Sequence, residues 1–337
     1  MSHPTAPTVD VVGIGNALVD VISHESPETV ASLGAVPGSM TLVEEDRSVE
    51  LYAAMGPAVE TSGGSAANTM VGVASFGGSS HYVGRVRDDQ LGRVFAHDLR
   101  SVGVGYSTLP APDGPATGTC LIMVTPDGQR TMHTCLGASS LFGPDDVDPD
   151  VVRSGAVVYL EGYLFDRPEA QAAFAAASEV AHEAGRTVAL TLSDSFCVER
   201  HRDAFLDLVE GHIDLLFANE AEICALYRVD DVDAAVDHVR GHCRIAAITR
   251  SEAGSVVVTA DEVVAVGAEP VERVVDTTGA GDLYAAGFLV GLARGRDLAT
   301  CARLGSLAAS EVISHVGPRP EASLAALAAA AGIPTAG

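Results

Sequence analysis

An α/β fold, with a mostly parallel sheet carrying helices on both faces, is predicted by two features of this 337-residue sequence. The first is a regular alternation through the C-terminal half. Apolar, strand-like runs at 156–161, 187–192, 213–218 and 245–249 are separated by helical spacing over 169–184, 202–208, 220–226 and 232–241. Helix-length crossovers let successive strands pair in parallel and cover both faces of the sheet. The second is the string 274–282, VVDTTGAGD, which runs into an apolar helical stretch ending near Leu292. A turn of small residues that opens a helix leaves N–H groups pointing at one spot, where the helix dipole favours an anion.

The remaining elements follow in order. Residues 9–14 alternate into a strand ending at Gly13-Ile14-Gly15-Asn16. The third glycine of a dinucleotide fingerprint would fall at Leu18, so that reading is set aside. Residues 17–22 continue apolar except for Asp20, 27–33 form a short helix, and 34–42 a strand with a turn at Pro37-Gly38. Helical spacing over 44–55 puts Val49, Leu51, Tyr52 and Met55 on one side. Ser62-Gly63-Gly64-Ser65 opens a small-residue helix over 66–76, stopped by Gly77-Gly78. A strand at 81–86 and a helix at 89–102 precede the Pro-rich loop 110–115. The runs 116–124 and 130–136 flank Pro126-Asp127-Gly128, a hairpin signal. Residues 255–266 read as a second hairpin, Val274 and Val275 as the end of a strand, and 298–314 and 321–331 as closing helices. With no internal repeat and no long linker, 1–337 reads as a single domain.

Composition narrows the function classes. A formal net charge of −25 and no basic cluster exclude nucleic acid and anionic membrane surfaces as partners. The N-terminal ten residues show no signal-peptide core and no apolar run reaches the ~18 residues of a membrane span, so a cytoplasmic enzyme is expected. Six scattered cysteines without a CxxC pair read as reduced thiols. His238 and His242 have zinc spacing but no third ligand, and read as surface residues.

Asp282 is the unusual residue of the glycine turn, a carboxylate placed where negative charge should bind. There it could accept the proton of an attacking hydroxyl, and an anion cradle beside a base is what phosphoryl transfer to an alcohol needs. Asp20, inside an apolar run, could satisfy both its oxygens with two vicinal sugar hydroxyls. Asn16 lies on the same segment. Arg130, at the hairpin turn, could swing in over phosphate. Asn219 and Glu222 have the spacing of a capping box.

DTTGAGD followed by an apolar helix resembles the C-terminal signature of the ribokinase-like (PfkB) family of small-molecule kinases, and the likeness runs from Val9 to the last helix. It implies a doubly wound sheet with a small β lid built from segments near 16–42 and 116–136. It implies ATP and Mg²⁺, with Asp282 as the base and Gly279, Ala280 and Gly281 as the anion hole. Asn16, Asp20, Gly63, Gly64 and Asn68 would meet the acceptor. Arg130, Asn219, Glu222, Thr249, Gly254 and Thr277 would lie on the ATP side, Glu222 reaching magnesium through water. A monovalent cation such as K⁺ near Asp276 is left open, as is monomer or homodimer.

GNALVDV, LVEEDR, GGSAANT, TLSDSF and DTTGAGDLYAAGFL together look like bacterial proteins of the adenosine-kinase branch of that family. This implies phosphorylation of adenosine at its 5′-hydroxyl, giving AMP, a purine-salvage reaction. Met40, Leu42, Leu136, Phe165 and Phe196 would ring the Asp20 site, the two phenylalanines stacking on the base. A pentose or fructose-like sugar is the alternative acceptor. A ligand-binding protein on a kinase scaffold is a third reading, against which the intact Asp282 turn speaks.

Overall fold

The computed structural model describes residues 6–335. Residues 1–5, half of the N-terminal segment read as lacking a signal-peptide core, lie outside the described residues. In chain order the first third carries β1 (Val9–Ile14), β2 (Leu18–His24), α1 (Pro27–Ser32), β3 (Met40–Leu42), α2 (Glu45–Ala54), β4 (Ala58–Gly63), α3 (Ser65–Ser75), β5 (Ser80–Val83), α4 (Gln90–Ser101) and β6 (Val104–Tyr106). The middle carries β7 (Thr117–Val124), β8 (Arg130–Gly137), α5 (Pro149–Ser154), β9 (Gly155–Glu161), α6 (Pro168–Glu183), β10 (Thr187–Thr191), α7 (Ser195–Gly211), β11 (Leu215–Asn219), α8 (Glu220–Tyr227), α9 (Val232–Val239) and β12 (Ile245–Thr249). The last part adds β13 (Ser255–Val258), β14 (Val263–Val266), α10 (Ala280–Ala293), α11 (Leu298–Val312) and α12 (Leu324–Ala330).

Among the described residues these strands make two sheets. The larger has nine strands in the order β14-β13-β12-β11-β10-β9-β1-β5-β6, parallel except for the β13 and β14 pairings. Strand β1 alternates into two cores. Val11 packs with α3, α10 and α11, whereas Val12 and Ile14 pack on the opposite face with α6 and α7. Helix α10 is buried from Leu283 to Gly291, which is why its sequence is apolar all round. The smaller sheet has the order β3-β8-β7-β2-β4. No helix among the described residues is long and apolar enough to cross a membrane.

The alternation 156–249 stands where it was expected. Four local expectations change. The strand at 34–42 shrinks to Met40–Leu42, because Gly34 and Gly38 adopt left-handed φ and break the extended run. Strand β4 carried no local pattern, since Ala58 and Val59 are exposed and Glu60 and Thr61 half-buried; its pairing with β2 makes it a strand. Val274 and Val275 are β-branched but exposed and unpaired by any strand, Val275 N–H being tied instead to Ile313 C=O at 2.8 Å. Helix α7 begins at Ser195, capped by Asp194, and bends at His201, so the apolar spacing showed only its second half. The short elements β6 and α5 also went unanticipated.

Candidate active site

The larger sheet reverses strand order at β1, which lies between β9 and β5. In open parallel sheets such a switch point leaves a crevice beyond the C-terminal strand ends, where ligands bind. Asn16 follows β1 there and Glu161 ends β9. Glu161 is buried and accepts from Asn16 N (3.2 Å), Asn16 Nδ2 (3.0 Å) and Ala66 N (2.8 Å). Burial lifts its carboxyl to about 7, and these three donors hold it back from rising further. Glu161 thus pins two of the four points at which the chain passes between the sheets, after β1 and after β4.

Asp282 lies in the first turn of α10, after Gly279. Ser65 Oγ donates to its Oδ1 at 2.6 Å and Asn68 Nδ2 to its Oδ2 at 3.3 Å. Both donors come from the start of α3, 217 and 214 residues away in sequence. Burial raises Asp282 to about 6, with the two hydrogen bonds opposing. The turn is wedged from behind: a Cβ at Gly279 would stand 2.7 Å from Pro318 Cα, whereas one at Gly281 would meet no described protein atom within 4 Å.

Asp20 sits on β2 of the smaller sheet, buried, with its carboxyl raised to about 6 by that burial against the pull of Arg319 and Arg130. The glycine pair explains how it fits. A Cβ at Gly63 would stand 2.2 Å from Asp20 Oδ1, so a side chain there would push the carboxylate out of place. Gly64 has φ +96° and would press a Cβ to 2.3 Å from Asn16 C=O, a combination only glycine meets. Strand register places Thr61, Asp20, Cys120, Thr134 and Leu42 in one row across the five strands, with Val59, Ile22, Ile122, Met132 and Met40 in the next. Residues paired across strands share a face, so a carboxylate borders an apolar strip.

Arg130 begins β8 and is buried with Asp276, Nη1 to Oδ2 being 3.0 Å. That approach is coulombic without hydrogen-bond alignment, and the Nε and Nη2 of Arg130 have no partner among the described residues. Asp276 also accepts from Thr278 N (3.0 Å), Thr278 Oγ1 (2.7 Å) and Gly317 N (2.9 Å). Burial alone would raise its carboxyl, but these donors and Arg130 take it below the ordinary range. Arg130 is thus the cationic partner of Asp276 among the described residues. Next in the chain, Arg319 reaches Asn68, Thr61, Asp98 and Ser62.

Asn219 and Glu222 form a reciprocal capping box at the start of α8, with Glu222 N to Asn219 Oδ1 at 2.9 Å and Asn219 N to Glu222 Oε2 at 3.0 Å. Glu222 is buried, which lifts its carboxyl to about 7. No cluster of three or more metal-ligating side chains occurs among the described residues. Thr249 ends β12 opposite Asn219, and Gly254 (φ +88°) closes the loop that follows, with Arg250 N–H on its carbonyl at 2.7 Å. Thr277 is exposed and its carbonyl accepts from Ala280 N–H at the turn.

Other expected positions lie elsewhere. Phe165 is buried between Phe205 and Phe174, at centroid distances of 4.5 and 5.8 Å, and is committed to the core. Phe196 is 69% exposed on α7. Met40 and Leu136 stand on the strip-bearing face of the smaller sheet, Met40 exposed and Leu136 half-buried. His238 stacks on Tyr227 and His242 meets Glu210, so neither joins a metal site. The sequence reading missed Ser65, Glu161 and Arg319. A carboxylate closing an apolar strand was a readable signal for Glu161, and Ser65 stood inside the quoted SGGS string; Arg319, between two prolines, carried none.

This geometry has relatives. The crystal structure of adenosine kinase from Sinorhizobium meliloti is 51% identical, with a TM-score of 0.89, covering 96% of this chain and 99% of its own. That of a probable sugar kinase protein from Rhizobium etli CFN 42 is 46% identical, with a TM-score of 0.91, covering 98% and 100%. Adenosine kinase of Saccharomyces cerevisiae is 28% identical over 334 residues, 92% of this chain and 96% of its own length. The model of the pfkB family of carbohydrate kinases matches residues 28–324. With a ribokinase-like α/β fold, a carboxylate at the mouth of a glycine turn and a family match across most of its length, the chain belongs to the PfkB family of kinases, phosphotransferases acting on a hydroxyl acceptor.

Proposed function

We propose that this kinase transfers the γ-phosphate of ATP to the 5′-hydroxyl of a purine nucleoside, adenosine first of all, giving AMP. The observation that carries the choice of acceptor is the pair of cross-strand rows in the smaller sheet. Asp20 offers two oxygens to the ribose diol, and Cys120, Ile122, Met132, Met40 and Leu42 offer an apolar surface beside it. A purine face covering such a surface gains roughly 25 cal/mol per Å² buried. With Phe165 in the core, the base would rest on the sheet rather than between two phenylalanine rings.

In this reading the smaller sheet is the lid over the crevice, and Asp282 is the base. Its carboxyl at about 6 is ionised at neutral pH, yet more basic than an ordinary aspartate. Ser65 and Asn68 hold it in one orientation. The amides of Gly279 and Gly281 face the transferred phosphate, the Ala280 N–H being spent on the Thr277 carbonyl, and the open side of Gly281 leaves it room. Arg130, with buried donors unspent, turns to phosphate when ATP is present. Magnesium, when bound, neutralises phosphate charge; the single buried carboxylate of Glu222, already bonded to Asn219, suits an outer partner through water rather than a direct ligand. Thr249, Gly254 and Thr277 would flank the nucleotide.

The test is kcat/KM for adenosine, inosine, guanosine, ribose and fructose at fixed ATP and Mg²⁺. Adenosine should exceed ribose by orders of magnitude, since ribose lacks the apolar term. A sugar that outperforms every nucleoside would replace this reading with the competing one, a carbohydrate kinase. Asp20→Ala should raise the acceptor KM on the order of 10²–10⁴-fold, through loss of two charged hydrogen bonds worth about 1.5–3 kcal/mol each. The KM for ATP should hardly change.

A further inference from the structure

We propose that Arg319 is a positioning residue for Asp282, acting through Asn68, and that it ties this alignment to the seating of β4. The inference rests on the reading of Asp282 as the base. A guanidinium has five N–H donors in a fixed plane, and in Arg319 all five are engaged. Nε donates to Asn68 Oδ1 (3.3 Å). Nη1 donates to Asp98 Oδ2 (2.9 Å) and Thr61 Oγ1 (3.3 Å), and Nη2 to Ser62 Oγ (2.7 Å) and the Ser62 carbonyl. Thr61 and Ser62 belong to β4, the edge of the smaller sheet; Asp98 lies on α4 and Asn68 on α3.

An asparagine amide has an accepting end and a donating end. With Arg319 on Oδ1, Nδ2 is the end left for Asp282 Oδ2. Remove the guanidinium and the amide is free to turn its oxygen toward the carboxylate, which repels it. Because the guanidinium plane is set by its anchors on Thr61 and Ser62, a displacement of β4 rotates Nε away from Asn68. The Asn68 hold on Asp282 Oδ2 is then kept only while the smaller sheet is seated, Ser65 keeping its own on Oδ1. Lysine cannot substitute, since one ammonium cannot span three separated anchors in a plane.

The loop that carries Arg319 meets the smaller sheet a second way. Gly317 N–H bonds Asp276, whose carboxylate faces Arg130 of β8, so residues 317–319 reach β4 directly and β8 through Asp276, one on each side of the β2–β7 pair. The adjoining Pro318 backs the glycine turn at Gly279. One short segment therefore links both flanks of the smaller sheet, the anion turn and the base.

The experiment is a double-mutant cycle on the full chain, with melting temperature recorded for every variant. Arg319→Met should lower kcat about 10- to 100-fold, the scale of a misaligned reacting group, while KM for ATP stays within twofold. Arg319→Lys should not restore it. In an Asn68→Ala background, Arg319→Met should cost less than about twofold more, because its route to Asp282 is already gone. If the two losses multiply, Arg319 acts independently of Asn68 and the proposal is overturned. Should Arg319→Met fail to fold, Ser62→Ala removes one anchor and should give a smaller kcat loss with the same non-additivity; additivity there overturns it equally. Full turnover by Asp282→Asn would instead defeat the base reading, while coupling between 319 and 68 would still be read in the acceptor KM.

Discussion

Asp282 and Asp20 are two carboxylates in one crevice, both lifted by burial to about 6 from an ordinary value near 3.8. In its proposed role as the base, Asp282 must be ionised, so kcat/KM should fall on the acid side of pH 6, and a pH profile from 4.5 to 8 would show that limb. Asp282→Asn should cost on the order of 10²–10⁴ in kcat, the usual worth of general-base catalysis. Stability should move the other way. A folded-state value above the unfolded one means that the native protein binds more protons between about pH 4 and 6, so Asp282 lowers stability as pH rises through that window. Asp282→Asn should therefore raise the urea midpoint at pH 7 and leave it unchanged near pH 4. An unchanged midpoint at both would show that the carboxylate is not desolvated in solution.

At the scale of an element, the junction from β4 to α3 carries the closest packing of the site. Gly63→Ala would drive a methyl into Asp20, so acceptor KM should rise steeply while the fold survives, because one carboxylate can be displaced. Gly64→Ala combines positive φ with a 2.3 Å approach to a backbone oxygen, and should destabilise outright by more than the roughly 1 kcal/mol of a tolerated Gly→Ala exchange. Gly281→Ala makes the opposite case. Its Cβ meets no described protein atom, so melting temperature should hold while kcat falls, the methyl standing where the proposed anion hole would take the phosphate. A Gly281→Ala enzyme with normal kcat would remove that amide from the anion hole.

For the whole molecule, the question is what holds the smaller sheet against the larger one. The Arg130–Asp276 pair is buried on both sides and joins β8 to the segment before α10. Arg130→Met should leave the larger sheet intact and speed amide hydrogen exchange in β7 and β8 selectively, with a fall in kcat. Uniformly faster exchange across both sheets would show a global loss of stability instead. The net charge of −25 acts over longer distances: self-repulsion destabilises the compact state, so moderate salt should raise the melting temperature.

The sequence by itself determined the alternation of strands and helices, the two hairpins, the glycine turn with Asp282 at its mouth, and Asp20 as a carboxylate out of place in an apolar run. These are local patterns: helix and strand periods, turn residues, and a charge where none is expected. Only the tertiary structure decided that β4 is a strand, since it exists by pairing with β2. It likewise moved Phe165 into the core, because side-chain direction depends on packing that no single segment encodes. It gave Asp276 a guanidinium partner, Arg130, from the smaller sheet. And it brought Ser65 and Asn68 to Asp282, Glu161 to Asn16, and Arg319 to Asn68 and to Thr61 258 residues away. Spacing along the chain carries no record of such meetings, because they are fixed by how two sheets stack and not by the residues on either side.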